Sequence, residues 1–295
     1  MPAPLAASAP DSASGPLSTD AILARADGEN FPVVLRGIPR SLRQDLLALY
    51  AFARLVDQLG DDAAGDRIAQ LDALSKDLHR LPDADPSHPI LRRLAPTVRR
   101  HALSIEPFER LIEANRRDQF LRAVSTWEEL VDTCTRSAHP VGELVLGILG
   151  QSNEESIRLS NDVCTGLQVV EHCQDVVEDL QRGRIYLPAK DMERFGCGRA
   201  DLEAAALTPA LRDTLRLQVE RARESLGAAD ALVLRLRGIA IPLVAAYAAG
   251  GLATCDALER HGFDVVRRQI EPARRDLLRN WIGLVWRALR RRGRR

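Results

Sequence analysis

The sequence predicts an all-α fold, and three observations carry that prediction. Ala, Leu and Arg dominate a chain in which aromatic residues make up only 4%. No clear run of alternating β-branched residues signals a strand. Apolar residues recur instead at helical spacing through most of the 295 residues. The 45% apolar content is that of an ordinary globular protein. Cysteines 134, 164, 173, 197 and 255 form no Cys-x-x-Cys pair, a pattern that suits reduced thiols in the cytoplasm.

The elements follow in order. Residues 1–18 are mostly Ala, Ser and Pro and read as a disordered tail. Ser18-Thr19-Asp20 looks like a helix start, interrupted at Glu29-Asn30-Phe31-Pro32-Val33. A long helix is expected from Arg40 to Asp62 and an amphipathic one over 65–79, ended by the Pro-rich stretch 81–89. Helices over 90–103 and 107–121 come next. Thr126-Trp127-Glu128-Glu129 is a capping-box pattern that opens another, interrupted at Pro140-Val141-Gly142 and continuing to Gly150. After a polar loop at 151–156, a single helix is expected over 157–180, with Gly183 and Pro188 marking its exit. Helices over 201–226, 228–252 and 274–290 complete the helical domain, 19–290, before a basic tail at 291–295. The apolar run 238–253 contains Pro242 and small residues, which describes a buried helix rather than a membrane span. The N-terminus has no basic segment followed by an apolar core, so no signal peptide is read. No internal repeat of solenoid length is present.

One helical stripe breaks the apolar pattern. Tyr50, Arg54, Asp57 and Asp61 fall at i, i+4, i+7 and i+11, on the face that would normally be greasy. Gln168, His172, Asp175 and Asp179 repeat the same steps 118 residues later. A lone Asp-x-x-x-Asp is ordinarily a solvated helix face. Two copies with apolar neighbours point elsewhere, because like charges one turn apart repel, and more so when buried. A hard divalent cation offsets that repulsion, and Mg²⁺ takes one or two carboxylates while phosphate oxygens complete its shell. The two stripes therefore read as a Mg²⁺–diphosphate site. Arg182, Arg184 and Tyr186 follow Asp179 closely enough to meet phosphate oxygens. The same arginines also suit a helix C-terminus electrostatically.

With those residues in view, the chain resembles the squalene/phytoene synthase family of head-to-head prenyl synthases. The resemblance is closest to the bacterial hydroxysqualene synthase branch of hopanoid-type pathways. Its most specific pieces are 29–33, 50–54, Ser137-Ala138-His139-Pro140-Val141-Gly142 and Arg182-Gly183-Arg184-Ile185-Tyr186-Leu187-Pro188. The resemblance implies a single all-α domain around a central cavity lined by both motifs. It matches Asp57, Asp61, Asp175 and Asp179 to metal-binding aspartates. It matches Tyr50, Arg54, Gln168, Arg184 and Tyr186 to positions around the diphosphate, with two or three Mg²⁺ ions. The implied reaction converts presqualene diphosphate and water to hydroxysqualene and diphosphate, without NADPH.

Several positions depart from the family pattern. Gln58 replaces an aspartate of the first motif. Glu171-His172-Cys173 stands where Asn-Phe-Trp is usual, and Glu171 can still ligate metal through oxygen. Val124 and Thr133 occupy tyrosine positions, the second linked in relatives to forming presqualene diphosphate. His172 can position water or meet a diphosphate oxygen; the plainer alternative is a hydrogen bond to a neighbouring carboxylate. Two further readings stay open: a presqualene diphosphate or phytoene-type condensing enzyme, and a weakened paralogue serving as partner subunit or prenyl-lipid binder.

Net charge is zero, yet residues 267–295 carry eleven arginines against Glu271 and Asp276. Leu278, Trp281, Ile282, Val285 and Leu289 make an apolar stripe beside them. This reads either as a basic amphipathic helix resting on the inner face of a membrane, or as a last core helix with a solvated tail. No nucleic-acid reader motif accompanies the arginines.

Overall fold

The structure, a computed structural model, describes residues 38–292. The expected tail at 1–18, the helix start at 18–20, the 29–33 motif and the side chains of 291–295 lie outside the described residues. Helix α1 (Arg40–Asp61) begins directly after Pro39. Helices α2 (Arg67–Leu78), α3 (Pro89–His101) and α4 (Glu106–Asp118) pack against it. Phe52 and Phe108 meet edge to face, 5.1 Å between centroids, where α1 crosses α4. Around them Leu46, Leu71, Leu78, Leu91, Leu94 and Ile112 form a first apolar core.

Helices α5 (Trp127–Ser137) and α6 (His139–Ile148) lead into α7 (Glu154–Gln174) and the short α8 (Val176–Gln181). The chain then forms α9 (Ala189–Arg194), α10 (Arg199–Leu202), α11 (Pro209–Leu226), α12 (Ala229–Arg235), α13 (Ala240–Arg260) and α14 (Arg274–Arg292). Helices α7 and α11–α14 surround a second apolar core built on Leu211, Leu215, Val219, Leu226, Val233 and Leu258. At Gly166 an added Cβ would sit 2.7 Å from the Ala222 carbonyl oxygen, so α7 and α11 approach to backbone contact. Among the described residues α13 alone is long and apolar enough to cross a membrane; 72% of its most apolar stretch is buried in this core. All five cysteines are free thiols.

Several helix starts are signalled locally. The side chains of Asp66, Thr126 and Thr208 accept from the backbone N–H three residues on. Asn153 and Ser156 form a capping box, so α7 begins inside the stretch expected as loop. The interruption expected at 140–142 falls at Ala138 instead, and residues 140–142 open α6. Three long segments are more divided than their periodicity suggests. The 157–180 segment breaks at Asp175, whose backbone (φ −98°, ψ 15°) leaves helical values. The 201–226 segment becomes α10 and α11. The 228–252 segment divides at 236–239, where Gly238 takes φ +56°. The last helix runs two residues past the expected boundary at 290.

One buried charge ties α1 to α3. The Asp45 carboxylate is 3% exposed and accepts from Thr97 Oγ1 (2.8 Å) and Arg100 Nη1 (2.8 Å), with His101 Nε2 at 2.9 Å. Burial alone would raise its pKa, but the contacts from His101, Thr97 and Arg100 outweigh burial and hold it below the ordinary value. Asp45→Ala should destabilise the fold by about 2 kcal/mol, since it leaves the buried Thr97 hydroxyl without its acceptor and empties a buried site. The folded-state pKa is depressed, so the ionised carboxylate's share of stability is complete above the unfolded value of 3.8 and lost as pH falls through the lower folded value. Denaturation midpoints of the two proteins should therefore differ most at neutral pH and converge in acid.

Candidate active site

The two motifs meet across a cavity of about 720 Å³ between the cores. Helix α1 contributes Arg54, Asp57, Gln58 and Asp61; α7, α8 and the break between them contribute Gln168, Glu171, His172, Asp175, Glu178 and Asp179. Arg182, Arg184 and Tyr186 line the same cavity from the segment after α8. Ala53, Val56, Leu111, Ala114, Leu121 and Val141 supply apolar wall. Tyr50 stands apart: it is half-buried against the first core and is not among the lining side chains.

The α1 side is held by α4. Gln119 Nε2 donates to the Gly60 carbonyl at 2.8 Å, and Asn115 packs directly against Gly60. On the other side, Gln174 Nε2 donates to the Ile270 carbonyl at 2.6 Å, anchoring the end of α7. The segment after α8 is pinned by a parallel β-bridge between Ala123 and Ile185, with Ile185 N donating to Arg122 O at 3.0 Å and Val124 N to Ile185 O at 3.1 Å. Gly183, at φ +79°, makes the turn that reaches it.

That turn carries Arg184 across the cavity. Its guanidinium donates to Asp61 of the first motif and lies 3.9 Å from Asp118. Tyr186 stacks face to face on His172, 3.9 Å between centroids. His172 Nε2 is 3.4 Å from Gln168 Nε2, and Nδ1 is 3.6 Å from Asp179 Oδ2. The histidine thus stands beside a motif carboxylate, at a separation longer than the hydrogen bond of the plainer expectation, and faces the cavity.

The electrostatics show how closely the carboxylates are gathered. Asp57 is exposed by area, 52% of its side chain. The space it faces is the cavity, walled by protein. Burial pushes its carboxyl up to about 7; Arg54 opposes this, while the charges of Glu171 and Asp61 push further. Asp175 is raised to about 6 by burial, then by Glu171, Glu178 and Asp179. Asp57 belongs to α1 and Glu171 to α7, so the two acidic faces repel across the gap. Burial disfavours charge on Arg184, but its pairing with Asp61 outweighs that and keeps it firmly protonated. Burial and the neighbouring Asp118 raise the Tyr186 hydroxyl well above its ordinary value.

The oxygen donors suit a hard cation. Among the described residues no group of three or more His, Cys, Asp or Glu is drawn together tightly enough to hold an ion alone. Asp57, Asp61, Glu171, Asp175 and Asp179 could each give one or two oxygens per ion, with phosphate oxygens supplying the rest.

Sequence reasoning passed over Asp118, Asn115 and Glu178, which also line the cavity. The signal existed: Leu111, Asn115 and Asp118 follow the +4, +3 steps of the first motif along α4. Two departures move out of the wall. Cys173 is 1% exposed in the second core, and Val124 is fully buried there, so both change packing rather than lining. Thr133 and His172 do line the cavity.

An all-helical domain closed around facing sets of carboxylates has the build of an enzyme that processes prenyl diphosphates. The chain belongs to the squalene/phytoene synthase family, whose model matches residues 24–279. The crystal structure of squalene synthase HpnC from Alicyclobacillus acidocaldarius matches with a TM-score of 0.75 at 41% identity, covering 85% of this chain and 97% of that one. The phytoene synthase of Mycobacterium tuberculosis is 34% identical over 207 residues, 68% of each chain. The hydroxysqualene synthase of Zymomonas mobilis is 35% identical over 181 residues, 59% of each chain.

Asp57→Asn should raise the melting temperature of the protein in metal-free buffer. The folded pKa of Asp57 is raised, so its ionisation costs stability as pH climbs from the ordinary carboxyl value of 3.8 to about 7. The variant's advantage should be full above pH 7 and vanish near pH 4. It should reach on the order of 1 kcal/mol, because solvent entering the cavity screens the charge. An unchanged melting profile would show that the facing acids do not repel.

Proposed function

We propose that the protein is a magnesium-dependent hydroxysqualene synthase that converts presqualene diphosphate and water to hydroxysqualene and diphosphate. The observation that carries this reading is the pair of acidic faces repelling across one shared cavity, Asp57 feeling the charge of Glu171. The 41% identity to a squalene synthase HpnC and the similarity to a hydroxysqualene synthase support the choice of branch.

In this reading Asp57, Asp61, Glu171, Asp175 and Asp179 are the metal ligands. Magnesium, when bound, supplies the positive charge that lets diphosphate leave with the electron pair of the breaking C–O bond. Arg54, Arg182 and Arg184 hold the diphosphate oxygens by charge-assisted hydrogen bonds. The apolar lining receives the prenyl chains and keeps bulk water from the rearranging cation. Gln168 and His172 hold the single water that adds to it and then gives up a proton. Tyr186, stacked on His172, keeps the imidazole plane fixed. Tyr50 acts from behind Arg54, one helical turn away.

The similarity to phytoene synthases favours a second reading, a condensing enzyme that joins two prenyl diphosphates. Purified protein incubated with Mg²⁺ and either presqualene diphosphate or farnesyl diphosphate separates the two. Turnover of presqualene diphosphate alone, with the product hydroxyl drawn from labelled water, is expected. Consumption of farnesyl diphosphate would transfer the assignment to the condensing reading. Binding of either compound without diphosphate release would indicate a partner subunit or lipid binder. Asp57→Asn combined with Asp175→Asn should reduce turnover by about a thousandfold or more while helical circular dichroism is unchanged. Retained activity would remove both aspartates from the site.

A further inference from the structure

Helix α14 presents two apolar faces. Its inner face is committed to the fold: Leu284 and Ala288 are buried in the second core, and Trp281 Nε1 donates to the Pro242 carbonyl at 2.8 Å. Its outer face carries Leu278, Ile282, Trp286 and Leu289 at steps of four, four and three, each at least 51% exposed. Exposed large apolar side chains are otherwise few among the described residues: Phe120 and Ile239 complete the set. A helix needing only to close the core would keep polar residues on that outer face.

The charge around the stripe indicates what covers it. Arg274, Arg275, Arg279 and Arg290 are exposed on the same helix, and Arg267 and Arg268 are exposed on the segment before it. The Arg290 guanidinium sits over the face of the Trp286 ring, 3.7 Å from its centroid, so the stripe and the cations are in direct cation–π contact. The sequence adds four arginines after Arg290. A second copy of the chain would bring the same arginines against each other across a two-fold axis, which like-charge repulsion opposes. An anionic lipid surface accepts both features: headgroup phosphates meet arginines while Trp286 and the aliphatic residues enter the boundary region.

We propose that the outer face of α14 docks this protein on anionic bilayers. The helix lies in the plane of the interface and does not span it, because its inner face stays packed on α13. This surface is separate from the carboxylate cavity, so the proposal stands or falls independently of the reaction assigned above.

The test is co-sedimentation with vesicles of phosphatidylglycerol and phosphatidylcholine mixed, or of phosphatidylcholine alone, at low and high salt. The intact protein should pellet with the anionic vesicles, remain in solution with the neutral ones, and be released by salt. Its tryptophan emission should shift to the blue on binding, and Trp286→Phe should remove most of that shift. Ile282→Ser with Trp286→Ser should weaken vesicle binding by about tenfold or more, with circular dichroism unchanged. Equal binding by this variant would overturn the proposal. So would absence of binding by the intact protein. In that case, an oligomer disrupted by the same substitutions would assign the stripe to a second copy, and a monomer would assign it to residues 1–37 or to plain solvent exposure.

Discussion

Repulsion between carboxylates is the interaction on which this architecture turns. Asp57, Asp61, Glu171, Asp175, Glu178 and Asp179 share one cavity, and Asp57 and Asp175 show the consequence in raised affinities for their protons. Nothing local favours that arrangement. It persists because each acidic face belongs to a helix whose opposite side is sunk in a separate apolar core. Leu46, Leu49 and Phe52 hold α1 on one side, and Val163, Val169 and Val170 hold α7 on the other. Burial of large side chains, at about 1.5–3 kcal/mol each, readily exceeds the repulsion of a few partly solvated charges.

Arg184 is the protein's own partial answer to that repulsion. The β-bridge at Ile185 and the left-handed turn at Gly183 deliver its guanidinium across the gap to Asp61, beside Asp118. Five arginines line the cavity against ten Asp and Glu residues, so its lining stays acidic in balance. Apolar residues such as Ala53, Val56 and Ala114 line the same cavity as the acids and arginines.

The positions at which the chain departs from its family now separate by place. Val124 and Cys173 lie in the second core, where a smaller side chain is absorbed by neighbouring aliphatic groups. Thr133 and His172 lie on the cavity wall, and His172 replaces a usual aromatic with another ring that stacks on Tyr186. The imidazole thus keeps an aromatic face at that position. The change that most alters the wall is therefore Thr133, which is small and spends its hydroxyl on the Leu130 carbonyl.

Helical class, the two motif stripes and some helix starts were legible in the sequence, because each depends on spacing or on a cap three residues away. The Thr126 cap announced its helix without a distant partner, whereas the equally local Thr208 cap was passed over and that helix was expected from 201; the acids of both motifs stood out against apolar neighbours. Tertiary structure alone decided the rest. The break at Asp175, the crossing of Arg184 to Asp61, the stack of His172 on Tyr186 and the entry of Asp118 all join residues distant in the chain or bend a pattern that reads as continuous. Tyr50 shares a helical stripe with Asp57 yet packs outside the cavity, since a stripe spanning three turns outlasts the gap it faces. Periodicity specifies which residues share a face. What that face meets is set by how the cores pack.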